Sequence, residues 1–389
     1  MNRLRTICAI TGTRADYGIL VPVLQCIREE TDWNLQVVAT GAHLSPEFGN
    51  TYMEIVKDGF SVTDRVEMLL SSDTPVAVTK SIGLATIGFA DVFERLGPDL
   101  ILILGDRYEM LAAAQAALIA KIPIAHIAGG DVSEGAYDDA IRHSITKMAH
   151  VHFTTNEQSS RRVVQLGEHP ERVHTVGSPA IDRILTLPKL SKEEIERQLP
   201  GYRFLEKNLL VTFHPATLDE ISPAEQYAEV LRALAKLGPE VGIIFTYPNA
   251  DTFGRELLRL TEAFVAEHPN TKAYPSLGQL RYFNAIRHVD AVVGNSSSGL
   301  YEVPSFGKPT VNIGNRQKGR LHAASVFHCQ AEAEDVYRTI RQALETNVSN
   351  VLNPYGDGTS SARIVEILKR IENPKALIQK SFYEVSYDR

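Results

Sequence analysis

The sequence predicts an α/β protein of two domains, each a parallel sheet covered by helices. Three observations carry that prediction. Short apolar, β-branched runs alternate with longer segments of helical period, the order that produces parallel strands joined by helical crossovers. The short runs are apolar throughout, as strands buried on both faces are, where a one-sided strand would alternate. The 389-residue chain also shows the pattern twice, broken near the turn-rich Gly177-Ser178-Pro179 and the charged stretch 189–197, and its length suits two or three domains at roughly 150 residues each.

In the first half, residues 6–10, 35–39, 100–104, 124–127 and 152–155 read as strands. Apolar residues at helical spacing predict helices over 19–30, 75–96, 108–119, 138–148 and 158–166. Pro22 and Pro75 fall in predicted first turns, where a missing N–H costs nothing. In the second half, strands over 209–213, 241–246, 291–294 and 310–313 alternate with helices over 224–237, 253–267, 277–287, 334–345 and 361–371. No internal sequence repeat is apparent, so the halves share architecture only. The expected divisions are 1–177, 178–365 and a tail, 366–389, packing back on the first domain. Two such sheets facing each other would bring the carboxyl ends of their strands around one cleft.

Hydrophobic residues make up 44% and charged ones 22%, a globular composition that excludes a disordered chain. The balance of 40 Lys and Arg against 47 Asp and Glu gives a net charge of −7, opposite in sign to the footprint of a nucleic-acid binder. A phosphate ligand has to be met by local cations. Cys8, Cys26 and Cys329 are odd in number, far apart and without metal-ligand spacing, which points to a reducing, cytoplasmic setting and away from a disulfide framework or zinc site. The first residues do not read as a signal peptide. No apolar run is expected to approach the ~20 residues that span a bilayer, so no membrane partner is expected either.

Candidate chemistry sits where the predicted strands end. Residues Thr11-Gly12-Thr13-Arg14-Ala15-Asp16-Tyr17-Gly18 lead from the first strand into the first helix, where unpaired N–H groups and the helix dipole favour an anion and Arg14 adds a charge. The segment is neither a GxGxxG nor a Walker loop, and a plain turn with a solvated arginine is the simpler alternative. Gly105-Asp106-Arg107-Tyr108-Glu109 ends the most apolar strand, the position at which α/β enzymes present catalytic side chains, unless Asp106 and Arg107 only pair or cap. His126-Ile127-Ala128-Gly129-Gly130-Asp131 is followed by Glu134, Asp138, Asp139, Arg142 and His143. Such crowded carboxylates can supply a general acid or base, with helix capping the simpler role for Asp139. In the second half, His214 follows a strand and would neutralise a phosphate or protonate a leaving group, or be structural. The richest signal is Gly294-Asn295-Ser296-Ser297-Ser298-Gly299-Leu300-Tyr301-Glu302. Its hydroxyls and N–H groups suit a diphosphate, and Glu302, one turn into a helix, could accept both hydroxyl hydrogens of a ribose.

With these motifs in order, the chain resembles the hydrolysing UDP-N-acetylglucosamine 2-epimerases of sialic-acid and related nonulosonic-acid synthesis over nearly its whole length. The match rests on Thr13-Arg14-Ala15-Asp16-Tyr17-Gly18, Gly105-Asp106-Arg107, Gly129-Gly130 followed by Asp138 and Ile141-Arg142-His143, His214-Pro215, Pro248-Asn249-Ala250-Asp251, Gly294-Asn295-Ser296-Ser297, and Arg316-Gln317 with Gly319-Arg320. The non-hydrolysing epimerases read GTRPE and DSGG at the first and serine motifs, where this chain has Arg14-Ala15-Asp16 and Asn295-Ser296-Ser297. The resemblance implies the glycosyltransferase-B (GT-B) architecture, two Rossmann-like domains facing a cleft, with UDP held mainly by the C-terminal one and the sugar site on the N-terminal one. It implies that Arg14, His214, Ser296, Ser297 and Arg316 hold the diphosphate, Glu302 the ribose, and Asn249 and the Tyr274 backbone the uridine side. Asp106, Arg107 and Asp138 fall at sugar-site positions. One departure stands out: the glutamate that relatives place before the two glycines is Ala128 here, leaving Asp131 or Glu134 to supply that carboxylate, or a different sugar in the site.

The implied reaction converts UDP-N-acetylglucosamine to N-acetylmannosamine and UDP by elimination and hydration, in a cytoplasmic homodimer and without cofactor or metal. The C2 proton is barely acidic, so the C1–O bond breaks largely first and diphosphate neutralisation is the main lever. A carboxylate, with Asp106, Asp131 and Asp138 the candidates and His214 beside the leaving group, takes the C2 proton. The same reaction on UDP-2,4-diacetamido-2,4,6-trideoxyglucose, a GT-B glycosyltransferase and a non-catalytic sugar-nucleotide sensor are the alternatives.

Overall fold

The computed structural model describes residues 4–72, 74–132, 137–214, 222–247, 254–275 and 277–385. Among the described residues, one parallel sheet is formed by β1 (Arg5–Thr11), β2 (Trp33–Thr40), β3 (Val62–Val66), β4 (Leu100–Leu104), β5 (Ile124–Ile127), β6 (Val151–Thr154) and β7 (Val173–Thr175), in the order β3-β2-β1-β4-β5-β6-β7. A second is formed by β8 (Lys207–Thr212), β9 (Val241–Thr246), β10 (Thr271–Tyr274), β11 (Ala291–Gly294), β12 (Thr310–Ile313) and β13 (Val326–Cys329), in the order β10-β9-β8-β11-β12-β13. Both are doubly wound. Their strand order reverses between β1 and β4 and between β8 and β11, the places at which such sheets take ligands.

The continuous apolar runs have a direct structural cause. Along β1, Ile7 and Ala9 join one core with Leu100, Leu102 and the helix Arg14–Arg28, whereas Cys8 and Ile10 join another with Ile101, Ile103 and Phe89. Each strand thus buries alternate side chains on both faces. The four strands that the sequence analysis left out, β3, β7, β10 and β13, are the four sheet edges.

The chain groups into two compact units, residues 1–185 with 355–389, and residues 186–354. The sequence analysis places the divisions at 177/178 and 365/366 instead. In the first unit, Asp182 of the helix Pro179–Thr186 accepts the N–H groups of Ser360 and Ser361 at 3.1 and 2.5 Å. These open the helix Ser360–Lys369, whose Ile364, Val365 and Leu368 pack with the helix Arg14–Arg28. Each buried aliphatic of that size contributes about 1.5–3 kcal/mol, so this late helix is part of the first core. Beyond it, Arg172 donates to the carbonyls of Leu377 and Gln379, and the Tyr383 N–H donates to Gly167.

Two local expectations are corrected. Pro22 lies inside the first helix, because that helix starts at Arg14, five residues earlier than periodicity suggested. Thr13 and Asp16 form a capping box that starts it there. The proline removes the hydrogen bond to the carbonyl of Gly18, a residue with no side chain to crowd its ring. The second concerns apolar length: the helix Pro75–Leu96, 22 residues, is by length and composition long and apolar enough to cross a membrane. Its Ala85, Phe89, Val92 and Phe93 form a buried stripe, and it packs along the helix Tyr108–Ile119. The charges at Lys80, Asp91, Glu94 and Arg95 break up the run in sequence, which is why it did not read as one.

Glu168 ties the last residues to the first unit. It is buried and accepts from Lys147 at 2.7 Å, His152 at 3.0 Å and Lys380 at 2.8 Å. Burial pushes its carboxyl up, but the His152, Lys147 and Lys380 partners outweigh that and hold it at about 2. A carboxyl depressed on folding stabilises fully above its ordinary value of 4.5 and loses that contribution as the pH falls toward 2. Glu168→Gln should therefore cost on the order of 3 kcal/mol at neutral pH by urea unfolding, and the gap to the wild type should close as the pH is lowered from about 5 to about 2.

Candidate functional site

In the first unit, the turn after β1 is organised by a buried carboxylate. Asp16 accepts the N–H groups of Gly12 and Thr13 at 2.9 and 2.7 Å, the Thr11 hydroxyl at 2.8 Å and the Thr13 hydroxyl. With its own proton given to Asp16, the Thr11 hydroxyl accepts from His43 Nε2 at 3.0 Å, and His43 Nδ1 accepts from Thr51 at 2.8 Å. Burial pushes His43 down, in keeping with this neutral ring. The Gly12 and Thr13 N–H groups that the sequence suggested for an anion are thus taken within the turn. An anion here would meet the first helical turn and Arg14, which is exposed and pairs with Glu54 at 3.2 Å.

After β4, Arg107 occupies the N-cap position of the helix Tyr108–Ile119 without a side-chain capping bond, and its Nε meets the buried Glu109 at 2.6 Å. Burial pushes the Glu109 carboxyl up while Arg107 pulls it down, and Glu109 Oε2 has no hydrogen-bond partner among the described residues. Asp106 pairs with Arg142, a buried guanidinium that also donates to the Asp131 carbonyl at 2.7 Å and stands 3.9 Å from Asp139. Asp139 in turn faces His143 at 3.5 Å. The Asp131 carboxylate accepts from Thr155 at 2.7 Å and Ser159 at 2.6 Å. Asp138 stands half-buried in the first turn of the helix Tyr137–Met148, without an ion pair among the described residues. His126 Nε2 donates to the Gly105 carbonyl at 2.8 Å and its Nδ1 accepts from Thr146 at 3.2 Å. Burial pushes this histidine down to about 4, so it acts as a neutral strut under the Gly105-Asp106 turn. Ala128 has φ +64, in the left-handed region. The structure thus brings Asp106 and Asp131 onto one guanidinium. Arg142, Asp16, Glu109 and His126 are the residues sequence reasoning left without a role. The signal for Arg142 was its helical spacing after Asp138 and Asp139.

In the second unit, Asn295 is the hub. Its side chain accepts the His214 N–H at 2.7 Å and donates to the His214 carbonyl at 2.8 Å, joining the ends of β8 and β11. Its own carbonyl accepts Arg316 at 3.1 Å and Gln317 at 2.8 Å, which draws in the loop after β12. Gly294 has φ +137, and a side chain there would collide with the Thr212 carbonyl, so only glycine lets these strand ends close up. Ser296 and Ser297 are half-buried at the start of a helix of only four residues, Ser298–Tyr301, and Glu302 caps its end instead of lying one turn inside a longer helix. Burial pushes the Glu302 carboxyl up, with the Ser298 hydroxyl acting the other way, and the same burial together with Glu302 pushes the Tyr282 phenol up. Tyr274 ends β10, and its carbonyl accepts the Tyr247 N–H at 3.1 Å. Asn249 and Glu134 lie outside the described residues. Arg14, Arg107, Asp106, Asp131 and Asp138 belong to the first unit, and His214, Tyr274, Ser296, Ser297, Glu302 and Arg316 to the second.

Two Rossmann-like sheets, with carboxylates and cations at the strand ends of one and a serine-rich turn beside an arginine loop in the other, give an α/β fold of the GT-B type. The sequence model of the family described as UDP-N-acetylglucosamine 2-epimerase matches residues 25–369, and the chain belongs to that family, in its hydrolysing branch. It is 41% identical over 325 residues to a GDP/UDP-N,N'-diacetylbacillosamine 2-epimerase (hydrolyzing) of Campylobacter jejuni, covering 83% of this chain and 84% of that one. It is 34% identical to the UDP-N,N'-diacetylbacillosamine 2-epimerase (hydrolyzing) of Legionella pneumophila, over 97% and 99% of the two chains. It is 31% identical to a UDP-N-acetylglucosamine 2-epimerase of Neisseria meningitidis, over 98% and 100%. In fold it is similar to the crystal structure of a UDP-GlcNAc 2-epimerase from Neisseria meningitidis bound to UDP-GlcNAc, with a TM-score of 0.78 at 20% identity over 94% of this chain and 100% of that one. The chain is an enzyme, a hydrolysing 2-epimerase of UDP-sugars.

If the turn that Arg142 holds after β4 belongs to the site, Arg142→Met should lower kcat about 10²-fold, the scale on which a small misplacement acts. Calorimetry should find UDP affinity changed by less than about twofold.

Proposed function

We propose that this chain hydrolyses UDP-2,4-diacetamido-2,4,6-trideoxyglucose, the UDP-N,N'-diacetylbacillosamine of its relatives, to UDP and the free 2-epimeric sugar. The observation that carries the choice of sugar is the 41% identity to the Campylobacter enzyme against 31% to the Neisseria one. UDP-N-acetylglucosamine is the second reading, supported by the 31% identity to the Neisseria relative.

The chemistry assigns the roles. Cleavage of the C1–O bond builds positive charge on the ring and negative charge on the diphosphate, so groups aimed at the diphosphate supply most of the stabilisation. Arg316, His214 and the Ser296-Ser297 turn receive it, with Arg14 on the first unit. Glu302 takes the ribose hydroxyls, and Asn249 with the Tyr274 main chain the uracil side. A carboxylate removes the C2 proton to leave a glycal. Water then adds its oxygen at C1, and a proton returns to C2 on the other face, so UDP-sugar and water become UDP and the epimer.

Asp138 and Asp106 are the acid-base pair in this reading, and Arg107 orients the sugar. Asp131 has one carboxylate oxygen engaged by two hydroxyls, which supports a positioning role for it in place of the glutamate missing at 128. The unpaired Cys8, Cys26 and Cys329 support a cytoplasmic setting. The apolar Val76, Leu84 and Ile87 exposed on the helix Pro75–Leu96 are what a second copy in a homodimer would cover.

Incubation with each sugar nucleotide, followed by NMR, should show UDP release with higher kcat/KM for the diacetamido sugar, and in D₂O the product should carry deuterium at C2. A product without solvent deuterium rules out elimination. Asp138→Asn and Asp106→Asn should each lose about 10²- to 10⁴-fold in turnover while binding UDP normally, and Asp131→Asn should lose less. Glu302→Ala should weaken UDP binding about tenfold or more, read by calorimetry.

A further inference from the structure

A cavity of about 830 Å³ opens in the first unit among the loops that follow β1, β2, β3 and β4. It lies at the ligand edge of a parallel sheet, and its volume is in the range of small-molecule sites, about 300–1,000 Å³. Thr13 and Arg107 belong to its lining, next to the residues assigned above to the diphosphate and the sugar. The rest of the lining is mixed, with Glu47, Ser72, Ser81 and Tyr108 polar and a group of apolar side chains among them. Leu69, Leu70 and Val78 face it together with Ser71. Leu70 is 40% exposed, a large apolar side chain left in water beside a polar site. Its backbone is held there, because its N–H donates to the buried Ser81 hydroxyl at 3.4 Å.

A sugar edge that carries hydroxyls at C4 and C6 makes poor use of the apolar side chains in this lining. A hydroxymethyl group pressed against Leu69 and Leu70 loses its hydrogen bonds to water without replacement. The two sugars considered above differ at two positions. N-acetylglucosamine carries a C4 hydroxyl and a C6 hydroxymethyl, whereas the diacetamido sugar carries a C4 acetamido group and a C6 methyl. The second needs apolar surface for two methyls and a hydroxyl partner for one amide, and Leu69, Leu70 and Val78 with Ser71 offer both within this lining. We propose that the cavity lined by Leu69, Leu70, Val78 and Ser71 is the subsite that selects the C4 acetamido and C6 methyl groups of the substrate. This inference rests on the diacetamido reading of the function.

The test compares kcat/KM for UDP-2,4-diacetamido-2,4,6-trideoxyglucose and for UDP-N-acetylglucosamine in the full-length wild type, Leu70→Ser and Val78→Thr. The second variant keeps the side-chain shape, and thermal melting checks that both are folded. The ratio of the two values should fall about tenfold in Leu70→Ser, the scale on which a pocket distinguishes one methyl contact, and in the same direction in Val78→Thr. A ratio unmoved in both variants, or parallel losses on both substrates, would overturn the inference while leaving the proposed function standing. A wild type that does not turn over the diacetamido sugar would overturn both.

Discussion

A guanidinium cannot be neutralised in a protein, so a buried one has to be surrounded by acceptors. Arg142 is such a group, and its needs dictate the layout of the first unit's strand ends. It reaches the Asp106 carboxylate after β4 and the Asp131 carbonyl after β5, from a helix that follows both. Breaking a buried pair by removing one partner costs about 3–5 kcal/mol, so these turns are held in one arrangement. His126 supports the same arrangement from below. Its low pKa keeps it neutral, so it adds a hydrogen bond to Gly105 without adding a second positive charge beside Arg142.

The second unit solves the matching problem without buried charge. Asn295 joins two strand ends and a loop through four neutral or main-chain contacts. The amide satisfies main-chain groups on both sides of itself, so the turn is rigid while its serines remain at the surface of the site. Under the proposed function, the difference between the units follows from what each would stabilise. Positive charge developing on a sugar ring calls for carboxylates, and carboxylates held close together need a cation between them. A diphosphate needs cations and N–H groups, and extra carboxylates near it would oppose its binding.

The interior strands were legible because burial on both faces leaves a continuous apolar run. The edge strands were not. Val62–Val66 reads VTDRV and alternates, Val173–Thr175 is three residues long, Thr271–Tyr274 reads TKAY, and Val326–Cys329 carries His328 on its exposed side. An edge strand is covered less and is paired on one side only, so its composition resembles a loop. The start of the first helix was hidden for a different reason: Gly18 and Pro22 argue against a helix, and the buried Asp16 that overrides them acts through backbone N–H groups that periodicity does not see. The candidate motifs do follow strands, after β1, β4, β5, β8 and β11. The partners of those residues come from elsewhere in the chain, as with Asp106 and Arg142, 36 residues apart, and spacing alone does not pair them.

Ala128 brings these threads together. A left-handed backbone costs an ordinary residue about 1–2 kcal/mol, and alanine has no side-chain hydrogen bond to offset it. Glycine would relieve the strain, so the conformation is held by its surroundings. The Ala128 N–H donates to the Phe153 carbonyl at 2.9 Å, which keeps β5 paired to its last residue. Gly130 follows with φ +78 and sits so close to the Ser159 carbonyl that a side chain has no room. The two reversed residues turn the chain sharply toward the helix Glu157–Gln165, and the next residue is Asp131, which meets Thr155 and Ser159 there and offers its carbonyl to Arg142. The turn therefore delivers Asp131 and the acceptor for Arg142 whether or not position 128 carries a carboxylate.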